Sequence, residues 1–259
     1  MRITDLEVHE ICPPYCDFNA LQLSRYHGAR LQRRTIYILR TDDGLEGLGE
    51  SVGPAPDAEP LREQYIDASP FDWINGENRL ALDMACYDLM GKKPGVPTWK
   101  LIGPQVRQWI PVAAWTVAQE PAAMAEEVRQ ASARGYHWIK YHVDEMQDVI
   151  AQTAAMQEAA PPHFRVHYDF NANSNYYTMR PILDELCKFS VAGRFEDVVQ
   201  GTDEDAYRML REQCPLPIIG HHVPPEAMTR RYIDGLMAGH SPIGQAVKTA
   251  GTDERMNMP

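Results

Sequence analysis

No stretch of this 259-residue sequence approaches the ~18 consecutive apolar residues that a membrane-spanning helix needs. The N-terminal MRITDLEVHE also lacks the apolar core of a secretory signal. A soluble, cytoplasmic protein with no membrane partner is therefore expected. Basic residues are few, with 25 Lys and Arg against 36 Asp and Glu and a formal net charge of −11. The short clusters RLQRR (30–34) and Arg230–Arg231 make no broad basic surface. Nucleic acid is excluded as an expected partner, because a polyanion must be met by many cations. The five cysteines, Cys12, Cys16, Cys86, Cys187 and Cys214, are odd in number and contain no CxxC pair. That argues against a disulfide framework and for a reducing compartment. Low-complexity tracts and sequence repeats are absent too.

What is present is ordinary globular composition, 44% hydrophobic and 24% charged, enough for one large domain or two modest ones. The first part reads as antiparallel. ITDLEVHEI alternates apolar and polar positions, and RRTIYILRTDDGLEGLGES places an Asp-Asp-Gly turn between two strand-like runs, a hairpin pattern. Residues 13–33 read as an irregular connection, and GPAPDAEPLRE (53–63) as a linker. Leu80, Ala81, Met84, Ala85, Cys86, Tyr87 and Leu89 recur at helical spacing and predict a closely packed helix that Gly91 and Pro94 end.

From Trp109 onward the pattern changes. WIPVAAWTV, WIKYHV, FRVHYDF, VAGRFE, PLPIIGH and a weaker GLMAGHSP read as strands. Amphipathic runs of helical length separate the first five, a short helical stretch PEAMTRRYIDG precedes the sixth, and a last helix is expected over 244–257. Strands alternating with helices predict parallel βαβ units. The expected organisation is an α+β N-terminal domain over 1–108 and a (β/α) barrel domain over 109–259 with about six strands. Several of these strands end in polar residues: Lys140 and His142, Asp169 and Asn171, Glu196 and Asp197, then His221 and His222. Asp169 to Glu196 is 27 positions and Glu196 to His221 is 25, the pitch of one strand–helix–strand unit. In a parallel α/β barrel such strand ends meet at one face, where catalysis sits.

These residues resemble the enolase superfamily, in the branch of mandelate racemase and the muconate lactonising enzyme. LRTDDGLEGLGES and ALDMACYDLMGKKPGVPTWKLIG are similar to that family's capping domain. Lys140-x-His142, Asp169-x-Asn171 and Glu196 are similar to the motifs at its second, third and fourth barrel strands. The resemblance implies a capping domain followed by a TIM-type barrel, and an enzyme that removes the proton beside a carboxylate. It implies a small-molecule carboxylate substrate and dehydration of a sugar acid or hydroxy acid, a lyase reading, with racemisation or epimerisation as the alternative. A divalent cation held by carboxylates would stabilise the charge that develops, and a Lys or His at a strand end would take the proton. Asp169 and Glu196 would bind the metal, Lys140 and His142 would be catalytic, and Asn171, Asp197 and Asp234 would contact substrate or support the site. Mg²⁺ is expected, since it prefers oxygen ligands.

Two departures stand out. Where the family has an acid after the fifth strand, this sequence has Gly220 and then His221. An imidazole there would suit Mn²⁺ or another transition metal better, or else His221 or His222 is a base and only two carboxylates hold the ion. The stretch from Val112 to Pro259 is also well short of the ~250 residues of a full eight-stranded barrel. A shortened or incomplete barrel is expected on that count, with a non-catalytic remnant of the fold as the competing reading. A homo-oligomer is expected if the fold is complete.

Overall fold

Two antiparallel pairings and a run of parallel ones divide the chain into two compact units, the first from described residues of 1–15 and 32–109 and the second mainly from those of 110–237. The structure is a computed structural model, and it describes residues 1–15, 20, 23–24, 32–74, 80–105, 107–144 and 146–237. The expected final helix over 244–257, His240 and most of the 13–33 connection lie outside the described residues.

In the first unit, β1 (Ile3–Ile11), β2 (Arg34–Thr41) and β3 (Glu46–Val52) form an antiparallel sheet in that order. Gly44 turns the β2–β3 hairpin at φ +80, a left-handed conformation that costs glycine little. The stretch read as a linker instead begins helix α1 (Glu59–Tyr65), whose Leu61 and Tyr65 are buried. Its proline sits in the first turn, where the missing N–H has no intrahelical partner to lose. Helix α2 (Leu80–Lys92) lies directly on β3: a Cβ at Gly49 would fall 1.8 Å from the Ala81 carbonyl oxygen, and one at Gly47 2.3 Å from that of Ala85. The core between them holds Ile3, Leu6, Tyr37, Leu39, Leu82 and Leu89. The short helix α3 (Trp99–Ile102) follows.

The second unit alternates strand and helix: β4 (Ala114–Val117), α4 (Pro121–Ala133), β5 (Trp138–His142), α5 (Val149–Ala159), β6 (Arg165–Asp169), α6 (Tyr176–Leu186), β7 (Ala192–Glu196), α7 (Glu204–Gln213), β8 (Ile218–Gly220) and β9 (Gly235–Leu236). All six strands are parallel and stand in chain order β4-β5-β6-β7-β8-β9. This is the progressive winding of a (β/α) barrel. Strand β4 is shorter than expected. Trp109, Ile110 and Val112 are largely exposed, so the apolar run before Ala114 has no buried face to hold it in the sheet. The expected helix after β8 is a single 3₁₀ turn at Pro225–Ala227.

Side-chain alternation along the strands sorts residues by chemistry. Ile139, Tyr141, Val166, Tyr168 and Phe195 are buried in one core with Met124, Met156 and Leu183 of the helices. On the other face, adjacent strands pair Lys140 with His167 and His167 with Arg194, and one row further pair His142 with Asp169 and Asp169 with Glu196. Because successive residues point to opposite faces, all six of these ionisable side chains share one face. Among the described residues no helix is long and apolar enough to cross a membrane.

Candidate metal centre

The site grows from the register just described. Asp169 and Glu196 are the last residues of adjacent parallel strands, and both are buried. A buried carboxylate is costly unless it is paired. Lys140 supplies the pairing: its Nζ lies 2.9 Å from Asp169 Oδ2 and 2.9 Å from Glu196 Oε2. His142 Nε2 adds a second contact to Asp169 Oδ2 at 2.9 Å. The backbone N–H of Asn171 donates to Asp169 Oδ1 at 3.0 Å.

These contacts set the ionisation. Burial pushes the Asp169 carboxyl upward, but His142, Lys140 and the Asn171 N–H outweigh it and hold Asp169 well below the usual carboxylate range. Glu196 follows the same pattern, with burial opposed by His167 and Lys140, and it too is lowered. For Lys140, burial works against the ammonium, yet the two carboxylates more than reverse it and the net shift is upward. Lys140, Asp169 and Glu196 are therefore one ion triad.

Beyond Glu196 the chain turns sharply. Asp197 is fully buried with φ +50. Its carboxylate accepts from the backbone N–H of His221 at 2.7 Å and of His222 at 3.2 Å, and it meets His222 Nδ1 at 2.5 Å. Asp197 thus ties the end of β7 to the turn after β8. His221 Nδ1 comes within 3.7 Å of Glu196 Oε1, while the His222 side chain is largely exposed beside Asp197.

The donor set fits a cation. Ligand atoms of Asp169, Glu196 and Asp197 lie within 4.8 Å of one another, as do those of Asp197, His221 and His222. Glu196 Oε1 is buried and has no hydrogen-bond partner among the described residues. That oxygen faces the His221 ring and is the kind of unsatisfied acceptor a bound ion would use.

Of the expected site residues, Lys140, His142, Asp169, Glu196, Asp197, His221 and His222 come together. Asn171 is beside them, but its backbone is left-handed at φ +56 and its side-chain amide donates to the Val143 carbonyl at 3.2 Å. It braces the strand end. Asp234 is not part of the cluster. It precedes β9, accepts from the Ile218 N–H at the start of β8 at 2.9 Å, and pairs with Arg211 at 2.7 Å, at the opposite end of the parallel strands. Two further members join them, His167, which its place two positions before Asp169 allows on that face but which reads more readily as a core histidine, and Arg194, which was not foreseen. His167 Nε2 lies 2.6 Å from Glu196 Oε2, and Arg194 donates to His167 Nδ1. The available signal was period two: each stands two positions before an acid at a strand end.

A parallel sheet of (β/α) barrel type thus brings strand-end acids together with a lysine and histidines at one face. The comparisons narrow that class. Residues 123–231 match the family Enolase C-terminal domain-like. The chain is 27% identical to the N-succinyl-L-Arg/Lys racemase of Bacillus cereus over 85% of its own length and 65% of that protein's. It is 24% identical to the D-galactonate dehydratase of Variovorax paradoxus over 64% and 52% of the two lengths. It therefore spans less than two thirds of these curated relatives. The crystal structure of the Bacillus cereus racemase superposes with a TM-score of 0.78 at 21% identity, covering 97% of this chain and 77% of that one. The Dipeptide Epimerase from Enterococcus faecalis complexed with Mg and dipeptide L-Leu-L-Tyr gives 0.76 at 20% identity, covering 97% and 80%. Over residues 123–231 the chain is thus similar to the enolase C-terminal domain, and it shares its fold with the solved racemase and epimerase.

Proposed function

We propose that this chain is a metal-dependent enzyme of enolase type that abstracts the α-proton of a small carboxylate substrate. The observation that carries the reading is the meeting of Lys140 Nζ with Asp169 and Glu196 at 2.9 Å each. A divalent cation would be held by Asp169 and Glu196, with His221 as the third protein ligand, because the Asp197 oxygens are already engaged by the His221–His222 turn. When bound, such an ion neutralises charge that builds on a carboxylate as its α-proton leaves. Mg²⁺ is the first choice for the two carboxylates, and His221 extends the choice to Mn²⁺.

The chain's own residues supply the rest. Lys140 is the proton-transfer group, held on its strand by the register with His167. His142, more exposed than Lys140 and edge-on to Trp115 at 5.9 Å, is the second proton carrier. Return of the proton to the α-carbon gives racemisation or epimerisation, and the similarity to a racemase along 85% of this chain favours that outcome. Dehydration is the second reading, supported by the similarity to D-galactonate dehydratases.

The test is solvent exchange. The chain is incubated with Mg²⁺ or Mn²⁺ in D₂O with N-acylated amino acids, dipeptides and acid sugars. Loss of the α-proton signal with a 1 Da gain marks racemisation or epimerisation, and a 2-keto product marks dehydration. Lys140→Ala should abolish exchange, and Asp169→Asn should abolish cation binding in calorimetry. Cation affinity unchanged in Asp169→Asn, or no α-exchange on any substrate of a cation-loaded chain, would reject the proposal.

A further inference from the structure

The cysteines read from sequence as unpaired include two that the fold brings together. Cys187 Sγ lies 3.7 Å from Cys214 Sγ. Both are half-buried free thiols, and each caps the C-terminal end of its helix. Cys187 N–H bonds the Leu183 carbonyl at 2.9 Å, and Cys214 N–H bonds that of Leu210 at 2.8 Å. The two are 27 residues apart, the same separation as Asp169 and Glu196, so they hold equivalent places in successive strand–helix units. No spacing rule for cysteine pairs finds them, because the period that unites them is that of the barrel.

We infer that Cys187 and Cys214 form a dithiol modification site that a small hydroperoxide oxidises to an intramolecular disulfide. A disulfide needs the sulfurs at about 2.0 Å, so they must close by roughly 1.7 Å. Side-chain rotation and a small adjustment of two helix-capping residues accomplish this, because neither thiol is locked inside a helix.

The surroundings assign the two roles. The two thiols share one hydrogen bond in which either sulfur can be the donor, and the Arg180 charge favours a thiolate at Cys214. The shared hydrogen bond, with Arg180, lowers Cys214 against the effect of burial, and the same bond together with burial pushes Cys187 up. Cys214 is thus the thiolate that attacks first. Its sulfur takes the terminal oxygen of the hydroperoxide, the O–O bond breaks, and the alcohol departs with a proton, leaving a sulfenic acid. The Cys187 sulfur then displaces that oxygen as water and the S–S bond forms. Two thiols lose two electrons and two protons in all, and the hydroperoxide becomes one alcohol and one water.

The site stands apart from the strand-end cluster. Helices α6 and α7 run against the strands, so their C-terminal ends lie by the starts of β7 and β8, away from Glu196 and His221. The bond would tie α6 to α7 across a long loop, and constraining the unfolded chain in this way raises stability.

The experiment treats the folded, reduced chain with cumene hydroperoxide, blocks residual thiols and maps tryptic peptides without reductant. The expected result is a loss of 2 Da, a link between peptides 166–188 and 212–230, each of which contains one cysteine, and reversal by dithiothreitol. The linked form should melt roughly 5–10 °C higher. In Cys187→Ser the sulfenic acid at Cys214 should persist long enough to be trapped by dimedone. Alkylation of both thiols after treatment, oxidation of each alone without a link, or linkage of either to another cysteine would overturn the inference. The mapping is carried out on the unaltered chain, so it does not depend on the folding of the variant.

Discussion

Arg194 Nε donates to His167 Nδ1 at 3.0 Å, and this one contact fixes where the imidazole carries its proton. A guanidinium stays protonated, so Nδ1 must be the acceptor and the ring proton belongs on Nε2. Nε2 is the atom 2.6 Å from Glu196 Oε2. Burial, with the neighbouring Arg194 charge, lowers the His167 pKa against the pull of Glu196, in keeping with a neutral ring. Arg194 is itself steadied by the face of Trp138, 4.8 Å away. Trp138, Arg194, His167 and Glu196 form a chain of close contacts that ends at a proposed metal ligand.

Arg194→Met should therefore weaken Mn²⁺ binding by about 10–100-fold, the usual cost of losing a group that orients a ligand. Calorimetry reads the affinity, and ¹⁵N chemical shifts of the His167 ring read the tautomer. Full affinity together with a scrambled tautomer would show that Glu196 needs no such support.

Lys140→Met should lower the stability of the metal-free chain by roughly 3 kcal/mol, because two buried carboxylates lose their shared counter-charge. A divalent cation should then stabilise this variant more than it does the parent, since it replaces a charge the variant lacks. Thermal unfolding with and without Mg²⁺ gives both numbers. Equal shifts in the two chains would count against an ion binding between Asp169 and Glu196.

Glu127 predicts a pH effect of its own. It is buried on α4, and Gln119 Nε2 donates to its Oε1 at 2.9 Å while Oε2 has no hydrogen-bond partner among the described residues. Burial raises its pKa to about 7, against the Gln119 hydrogen bond. A carboxyl raised on folding holds its proton longer in the native state, so stability falls as pH rises from about 4.5 to about 7. Glu127→Gln should flatten that slope and stabilise the chain at pH 8 by roughly 2–3 kcal/mol. Asp169 works in the opposite sense: its lowered pKa contributes stability above the ordinary Asp value that is lost as pH falls through the folded one. Urea midpoints from pH 4 to pH 8 test the Glu127 window.

Gly201→Ala should disturb the site without touching a charged group. A Cβ there would lie 1.5 Å from the His222 carbonyl oxygen, so the His221–His222 turn must move. A loss of about 1–3 kcal/mol is expected, with weaker cation binding if His221 is a ligand. An unchanged affinity in a destabilised variant would remove His221 from the ligand set.

The helices and strands of the second unit could be read from sequence because their apolar periodicity is strong. From β5 to β7 the observed strand limits fall within about one residue of the expected ones. Register could not be read, since no local pattern states which residue of one strand faces which of the next. That is why the contacts of His167 with Glu196 and Arg194 were not foreseen while Asp169 and Glu196, at strand ends, were found. His221 and His222 lie just past the end of β8. The strand stops at Gly220, and Asp197 gathers both backbone N–H groups. Asp234 was placed at the wrong end because a two-residue β9 gives no periodicity from which to judge its direction. Helix α1 was missed because proline and acids suit a first turn as well as a linker.

Asn171, Ala172 and Asp197 all have positive φ, each within three residues of an acid that closes a strand. The sheet therefore hands each carboxylate over at a fixed point, and whatever follows departs along a new direction. Phe170 and Ala172 secure the handover through N–H bonds of 2.9 Å to the carbonyls of Glu196 and Asp197. For protein engineering this makes the segment after β6 the place to exchange a loop, because Gly201 packs the segment after β7 against His222. A loop grafted beyond Ala172 should leave Asp169 and Glu196 in position.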